Sequence, residues 1–334
     1  MAGDDDTNLH APLPAIPGVT FRRLHGTDDY PLLVAVHEGS RDADGIDPRS
    51  TLEWIPTAAE FGEEFAPSAR FDPSRDVLIV EAYGHVIGYS YVTWWIERDG
   101  LRLYLLLAAL LPAFRGSGIG SALLEWAERR ARQRHAQSTA TGSAMFGANA
   151  SSTEADATRL LLDHGYRATF ELLEMEYASA ASTADLPLPP GITLRPAAPE
   201  HYRAIWDSVQ AAYAESPQNI VPDEEQYRRW LAQPSFDPSL WQVAWEGEAI
   251  VGQVLPEIAR GRGEIAEVSV GQRWRGKGLA RALLLRGIYA VQERGATPIR
   301  LHCRADNRFG APALYESAGF RTLKRFARYR KPMA

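Results

Sequence analysis

Two short runs have the residue types and spacing to hold a diphosphate. They are Arg115-Gly116-Ser117-Gly118-Ile119-Gly120-Ser121 and Arg275-Gly276-Lys277-Gly278-Leu279-Ala280-Arg281. Each follows an apolar, strand-like run and opens a pattern with helical spacing. A glycine-rich turn feeding a helix start leaves backbone N–H groups unpaired, and the positive end of the helix dipole points the same way, so an anion is drawn to one spot. Gly116, Gly118, Gly276 and Gly278 let the backbone approach it closely. Two other phosphate loops are excluded. A dinucleotide turn needs Gly-x-Gly-x-x-Gly, but Ser121 and Arg281 hold the third glycine's place. A P-loop needs Gly-Lys-Ser/Thr, but Gly278 follows Lys277.

Carboxylates and a phenol lie near the second run. Glu264 and Glu267 precede it on an apolar stretch ending at Val268-Ser269-Val270, and Tyr315 lies downstream in a helical pattern. The two glutamates are three positions apart, an odd offset, so on a regular strand they point to opposite faces and only one can face a cleft unless a bulge intervenes. Cys303, the only cysteine, lies in an apolar strand pattern and reads as a buried thiol; no internal disulfide can form, which fits a reducing cytoplasm. The histidines are scattered, with no His-Glu-x-x-His and no cysteine pair, so no metal is expected. There is no Gly-x-Ser-x-Gly elbow.

The elements that must position these residues occur twice. Gly18-Val19-Thr20-Phe21-Arg22 matches Gly191-Ile192-Thr193-Leu194-Arg195, Arg115 matches Arg275, and His164-Gly165-Tyr166 matches Ala318-Gly319-Phe320. The separation between matched residues shrinks along the chain, as expected where loops change length and elements persist. The organisation expected is a flexible tail at 1–17, a first domain at 18–178, a Ser/Ala/Pro linker at 179–190 and a second domain at 191–334. Each copy reads strand, helices, hairpin, strand, glycine loop, helix, strand, helix, strand. Antiparallel hairpins beside a parallel pair make a mixed-sheet α/β fold.

The pattern Arg-x-x-Gly-x-Gly/Ala resembles the acetyl-coenzyme A pyrophosphate loop of the GNAT superfamily of N-acetyltransferases. Leu314-Tyr315-Glu316-Ser317-Ala318-Gly319-Phe320 resembles that family's Leu-Tyr-x-x-x-Gly-Phe helix. The resemblance covers nearly the whole chain and implies two tandem GNAT domains, as in the family's two-domain members. It implies acetyl-coenzyme A as co-substrate and a primary amine of a small molecule as acceptor. Glu264 then stands where a general base often stands, with Glu267 as the rival, and Tyr315 where a phenol protonates the departing thiolate. The Val270 N–H faces the thioester oxygen, and Val268 and Ser269 pair with the pantetheine arm. Arg273, Arg275, Lys277 and Arg281 add positive charge around the phosphates, and Asn307 touches the coenzyme. These roles suit the chemistry, because an alkylammonium with a pKa of about 10 must lose a proton before it can attack.

In the first copy, Leu110 matches Val270, and the loop Arg115–Ser121 could hold a second coenzyme. Counting six residues back from Leu110 puts Tyr104 in the place of Glu264, and Leu161 matches Tyr315. The first domain is therefore expected to be catalytically degenerate. A second reading of the whole chain, as a coenzyme-responsive binding module without turnover, stays open.

The net charge of −6 argues against nucleic acid as a partner. The basic run Glu128–Arg134 reads as a solvated helix face. No stretch approaches a membrane span, and the start carries no signal-peptide pattern, so a cytoplasmic monomer or homodimer is expected. The acceptor-lining stretches around 40–74 and 212–238 carry acidic residues such as Asp42, Asp44, Asp223, Glu224 and Glu225. A cationic acceptor is one reading and a solvated acidic face the plainer one.

Overall fold

A computed structural model describes residues 15–138, 142–178, 186–214 and 220–333. The expected tail and linker lie outside these residues except at 15–17 and 186–190. In chain order the elements are β1 (Val19–Arg23), α1 (Tyr30–Asp44), α2 (Ala58–Glu64), α3 (Pro73–Asp76), β2 (Val77–Ala82), β3 (His85–Ile96), β4 (Arg102–Leu110), α4 (Ile119–Ala136), β5 (Ala144–Ser151), α5 (Ala155–Asp163) and β6 (Arg167–Tyr177). They continue with β7 (Thr193–Leu194), α6 (Tyr202–Tyr213), α7 (Glu224–Leu231), β8 (Gln242–Glu246), β9 (Ala249–Ala259), β10 (Arg262–Val270), α8 (Leu279–Glu293), β11 (Ile299–Arg304), α9 (Ala311–Ala318) and β12 (Phe320–Pro332). No helix among the described residues is long and apolar enough to cross a membrane.

The chain divides into a unit of 1–170 with 326–334 and a unit of 171–325. In the first, β1 to β4 form an antiparallel meander, β5 joins β4 in parallel, and the Phe326–Pro332 part of β12 closes the sheet against β5. In the second, β7 to β10 repeat the meander, β11 joins β10 in parallel, and the Leu172–Glu176 part of β6 closes the sheet against β11. The closing strand of each unit thus belongs, by sequence, to the other copy of the repeat. The hairpin turn Tyr83-Gly84 has φ of 51° and 78°, the left-handed pair that matches the twist of flanking strands.

Helices cover both faces of each sheet. In the second unit, α8 buries Leu279, Leu283, Leu284, Ile288 and Val291 in one apolar cluster, while Ile205 and Val209 of α6 pack with Trp241, Val243 and Trp245 in another. Each such side chain contributes about 1.5–3 kcal/mol on burial. The α8 stripe therefore fixes the helix whose first turn carries the glycine loop. In the first unit, α4 does the same with Ile119, Leu123, Leu124, Trp126 and Ala127.

The basic run on α4 is not wholly solvated. Arg130 is 1% exposed and donates from Nε to Asp76 at 2.7 Å, with Arg134 at 3.7 Å from the same carboxylate. The acidic residues at 223–225 start α7. Asp223 caps the helix by accepting from the Gln226 N–H, and Glu224 and Glu225 pair with Arg203 and Arg229. Positions 215–219 of the acceptor-lining stretch lie outside the described residues.

Candidate active site

The two glycine loops share one backbone conformation. Gly276 and Gly278 have φ of 73° and 81°, Gly116 and Gly118 have 75° and 87°, and Gly278 and Gly118 are the N-caps of α8 and α4. A left-handed conformation costs any other L-residue about 1–2 kcal/mol, which is why glycine stands there. Neither N-cap offers a side chain to the first helical turn, so those N–H groups remain for a ligand. Leu279 and Ile119 point into the cores, so they can offer a ligand only backbone.

The charged residues of the second loop have distinct surroundings. Arg275 donates from Nε to the Val270 carbonyl at 3.2 Å and stacks over Phe309 at 4.0 Å, which ties the loop to the end of β10. Arg115 makes the same tie to the Leu110 carbonyl at 3.1 Å. Lys277 Nζ lies 4.7 Å from the Trp274 ring centre, Arg273 is paired with Glu246, and Arg281 donates to the Ser317 carbonyl at 3.3 Å. Asn307 Oδ1 accepts from the N–H groups of Phe309 and Ala311, so the side chain organises the entry to α9. In the first loop, Ser117 donates to the Phe114 carbonyl at 2.6 Å, while Gly120 and Ser121 lie in the first turn of α4.

Beside the second loop the sheet opens. β10 and β11 pair in parallel only at Gly263–Ile299 and Glu264–Arg300 among the described residues, whereas β10 stays paired with β9 through to Val270–Gly252. The β11-facing edge of Val268, Ser269 and Val270 therefore keeps main-chain groups that an amide-bearing arm can bond.

A bulge reorganises the acids. Glu264 lies opposite Glu257 and Glu267 opposite Leu255, and the register shifts between Ile265 and Glu267. Residues 255 and 257 share a face of β9, so their partners share it too; Ala266 is the extra residue that brings this about. Burial pushes the Glu264 carboxyl up to about 7, with Glu257 and Glu174 raising it and Arg262, at 3.6 Å, pulling the other way. His302 Nδ1 is 3.9 Å from Glu264. Burial also pushes Glu267 up to about 7 against the Tyr213 hydroxyl, which donates to it at 2.6 Å. Glu257, likewise raised by burial, accepts from Ser235 Oγ at 2.7 Å.

Tyr315 is 7% exposed and packs on Phe320 at 6.0 Å. Burial first, then Cys303 and Glu267, holds its phenol far above the usual range, so it keeps its proton. Cys303 is buried, and burial pushes its thiol up to about 11. Thus Glu264, Glu267 and Tyr315 gather on the second unit, with Tyr213 and Glu257 as members that sequence reasoning missed. Glu257 had a signal, since with Gln253 it interrupts an otherwise apolar strand. Tyr213 had none, because its partner is fixed only by how α6 lies over β10.

The first unit lacks this arrangement. β3 and β4 stay in register from Gly88–Leu110 to Ile96–Arg102, without a bulge. Its last parallel rung, Leu105–Gly147, corresponds to Glu264–Arg300, so Leu105 rather than Tyr104 takes the place of Glu264. The count of six residues failed because it ignored Ala266. Tyr104 is fully buried beside the Trp94 and His135 rings. Leu107 replaces Glu267, Leu161 stands buried at the position of Tyr315, and Tyr89, Tyr91, Phe61 and Phe65 fill the face that carries the acids in the second unit. His37 shares a 2.6 Å hydrogen bond with Tyr89, and burial pushes its imidazole down to about 4. Arg115 is clamped by Asp44 at 2.6 and 2.8 Å, so its charge is already matched.

Comparison with known proteins fits this architecture. The model of the Acetyltransferase (GNAT) family matches residues 47–150 and 206–320. The chain is similar to a mycothiol acetyltransferase of Kineococcus radiotolerans, 33% identical over 228 residues covering 67% of this chain and 70% of that protein. A mycothiol acetyltransferase of Thermobispora bispora is 28% identical over 301 residues, covering 87% and 92%. Among solved structures, a GCN5-related N-acetyltransferase from Sphaerobacter thermophilus has a TM-score of 0.75 at 27% identity, covering 96% of this chain and 97% of that one. A tandem GNAT protein from the clavulanic acid biosynthesis pathway has a TM-score of 0.68 at 15% identity, covering 95% and 99%, and shares the fold. With the family matched twice and the same mixed sheet built twice, the chain belongs to the GNAT acetyltransferases and carries two such domains in tandem.

Proposed function

We propose that the second domain transfers the acetyl group of acetyl-coenzyme A to a primary amine of a small molecule, by direct attack in a ternary complex. The observation that carries this is the meeting, around β10, of a glycine loop, an open strand edge, carboxyls raised to about 7 and a protonated phenol. The loop's N–H groups, with Lys277 nearby, hold the pyrophosphate, and Val268 to Val270 align the pantetheine arm.

Glu264, directly or through a water, takes a proton from the acceptor ammonium. A base with a pKa near 7 is half ionised at neutral pH and strong enough to accept it. The amine nitrogen then bonds to the acetyl carbon while the Val270 N–H donates to the carbonyl oxygen. As the C–S bond breaks, the thiolate takes the Tyr315 proton, and the second proton leaving the nitrogen restores the phenol, so neutral amide and coenzyme A thiol are released. The first domain, without Glu264, Glu267 or Tyr315 counterparts, does not turn over. The relatives' name makes a mycothiol-related acceptor the first candidate to try.

The test is release of free coenzyme A thiol from the purified chain across an amine panel, with mass spectrometry of the products. N-acetylated product is expected. Tight coenzyme binding with no product from any acceptor would overturn this reading in favour of a binding module.

A further inference from the structure

Phe309 leaves a large apolar ring facing solvent beside the second glycine loop. It is 51% exposed, yet its backbone is pinned. The N–H groups of Phe309 and Ala311 donate to Asn307 Oδ1, and the Gly310 N–H donates to the Asn307 carbonyl at 3.0 Å. A side chain at Gly310 would have nothing of the described chain within 4 Å, so the loop leaves room beside the ring. Exposure alone means little, since single apolar residues are common on protein surfaces. The surroundings of this ring distinguish it.

Two guanidinium groups lie against it, Arg275 Cζ at 4.0 Å from the ring centre and Arg308 Cζ at 4.7 Å. Arg275 opens the glycine loop and is tied to the Val270 carbonyl, so the ring stands beside the first residue of the diphosphate cradle. The nearby acid Asp306 is taken up by Arg304 at 2.8 and 2.9 Å. An aromatic face with guanidinium planes beside it suits a flat heteroaromatic base that carries phosphate, because both surfaces stack on nucleobases and the cations attract the anion.

The first unit has neither group. Counting back from the matched residues Leu161 and Tyr315, Ala155 stands at the place of Phe309 and Glu154 at that of Arg308. Glu154 accepts from the Ser151 N–H at 2.6 Å. A methyl group and a carboxylate offer a base neither a ring nor a cation.

We infer that Phe309 stacks the purine base of the coenzyme, with Arg308 against its phosphates, so that the second domain has a platform for the nucleotide end that the first domain lacks. This rests on the coenzyme binding proposed above and not on the identity of the acceptor.

The probes are ADP and inorganic pyrophosphate, each titrated into the full chain in competition with acetyl-coenzyme A. Both carry a diphosphate, and only ADP carries a base. In Phe309→Ala the affinity for ADP is expected to fall roughly 5- to 100-fold, the range for loss of one base–aromatic stack, while that for pyrophosphate stays within about 2-fold. Phe309→Trp, which keeps a stacking face, should hold the native affinity for ADP. Equal losses for ADP and pyrophosphate would show that the ring only braces Arg275 and the loop, and would overturn the inference. An ADP affinity unmoved in Phe309→Ala overturns it too. A chain that binds ADP through Phe309 but acetylates no amine overturns the enzyme reading and keeps this one. Acetyl-coenzyme A that fails to bind at all overturns both.

Discussion

Glu264 and Glu267 share one face of β10 although they are three positions apart, because Ala266 has no partner on β9 and takes up one position of the alternation. Inserting one residue between Leu255 and Pro256 gives Ala266 a partner, restores regular alternation and turns one of the two carboxylates out of the cleft. The glycine loop lies beyond Val270 and should keep its coenzyme. The expected result is a fall in kcat of roughly 100-fold or more with a near-normal coenzyme Kd, read by steady-state kinetics and calorimetry. Full activity in the insertion variant would remove the bulge from the mechanism.

In the proposed reaction Glu264 sets the pH dependence. Its carboxyl works as a base only when ionised, so activity should rise with pH through about 7. Glu264→Gln should lower kcat by about 10²–10⁴-fold and move the rising limb towards alkaline pH. A superimposable profile would hand the role to Glu267 or to water. Stability should run the other way. The folded-state pKa of about 7 lies above the ordinary carboxylate value of 4.5, so the folded chain holds a proton that the unfolded chain releases in that window. The contribution is full below 4.5 and lost as pH rises through about 7. Glu264→Gln should flatten that decline in thermal melts.

Tyr315 keeps its proton at any physiological pH, and in the proposed reaction it donates that proton to the thiolate. Tyr315→Phe keeps the ring packed on Phe320 and removes only the hydroxyl. Turnover should drop roughly 10- to 1,000-fold while coenzyme affinity changes little. An unchanged rate in a single-turnover assay would take Tyr315 out of the reaction.

Gly278 caps α8 at φ 81° with open space around the position, so the obstacle to a side chain is conformational rather than steric. Gly278→Ala should cost about 1–2 kcal/mol in the loop conformation. The KM for acetyl-coenzyme A should rise roughly 10-fold. If the KM is unaffected, the phosphates are held elsewhere.

Cys303 should be chemically quiet. Burial and the neighbouring Glu316 keep its thiol up at about 11, so little thiolate forms near pH 8. A thiol reagent such as a disulfide-forming dye should label it slowly in the native chain and fully in denaturant. Rapid labelling of the folded protein would show the strand to be accessible.

Much of this protein is decided locally. Glycine alone takes left-handed backbone without strain, so the closely spaced Gly116, Gly118, Gly276 and Gly278 gave away both loops. The apolar stripe from Leu279 to Val291 likewise gave away the helix behind the second loop, and the matched segments gave away the duplication. Three features needed the folded sheet. Whether Glu264 and Glu267 face the same way depends on a register shift against β9, and the same shift makes Leu105 the counterpart of Glu264. The hydrogen bond from Tyr213 to Glu267 joins residues far apart in sequence through the packing of α6 over β10. The closing strands also escaped the linear pattern, since β12 pairs with β5 and β6 with β11. A strand's apolar alternation specifies which face is buried but not which neighbour it pairs with, and that choice is made only when the sheets assemble.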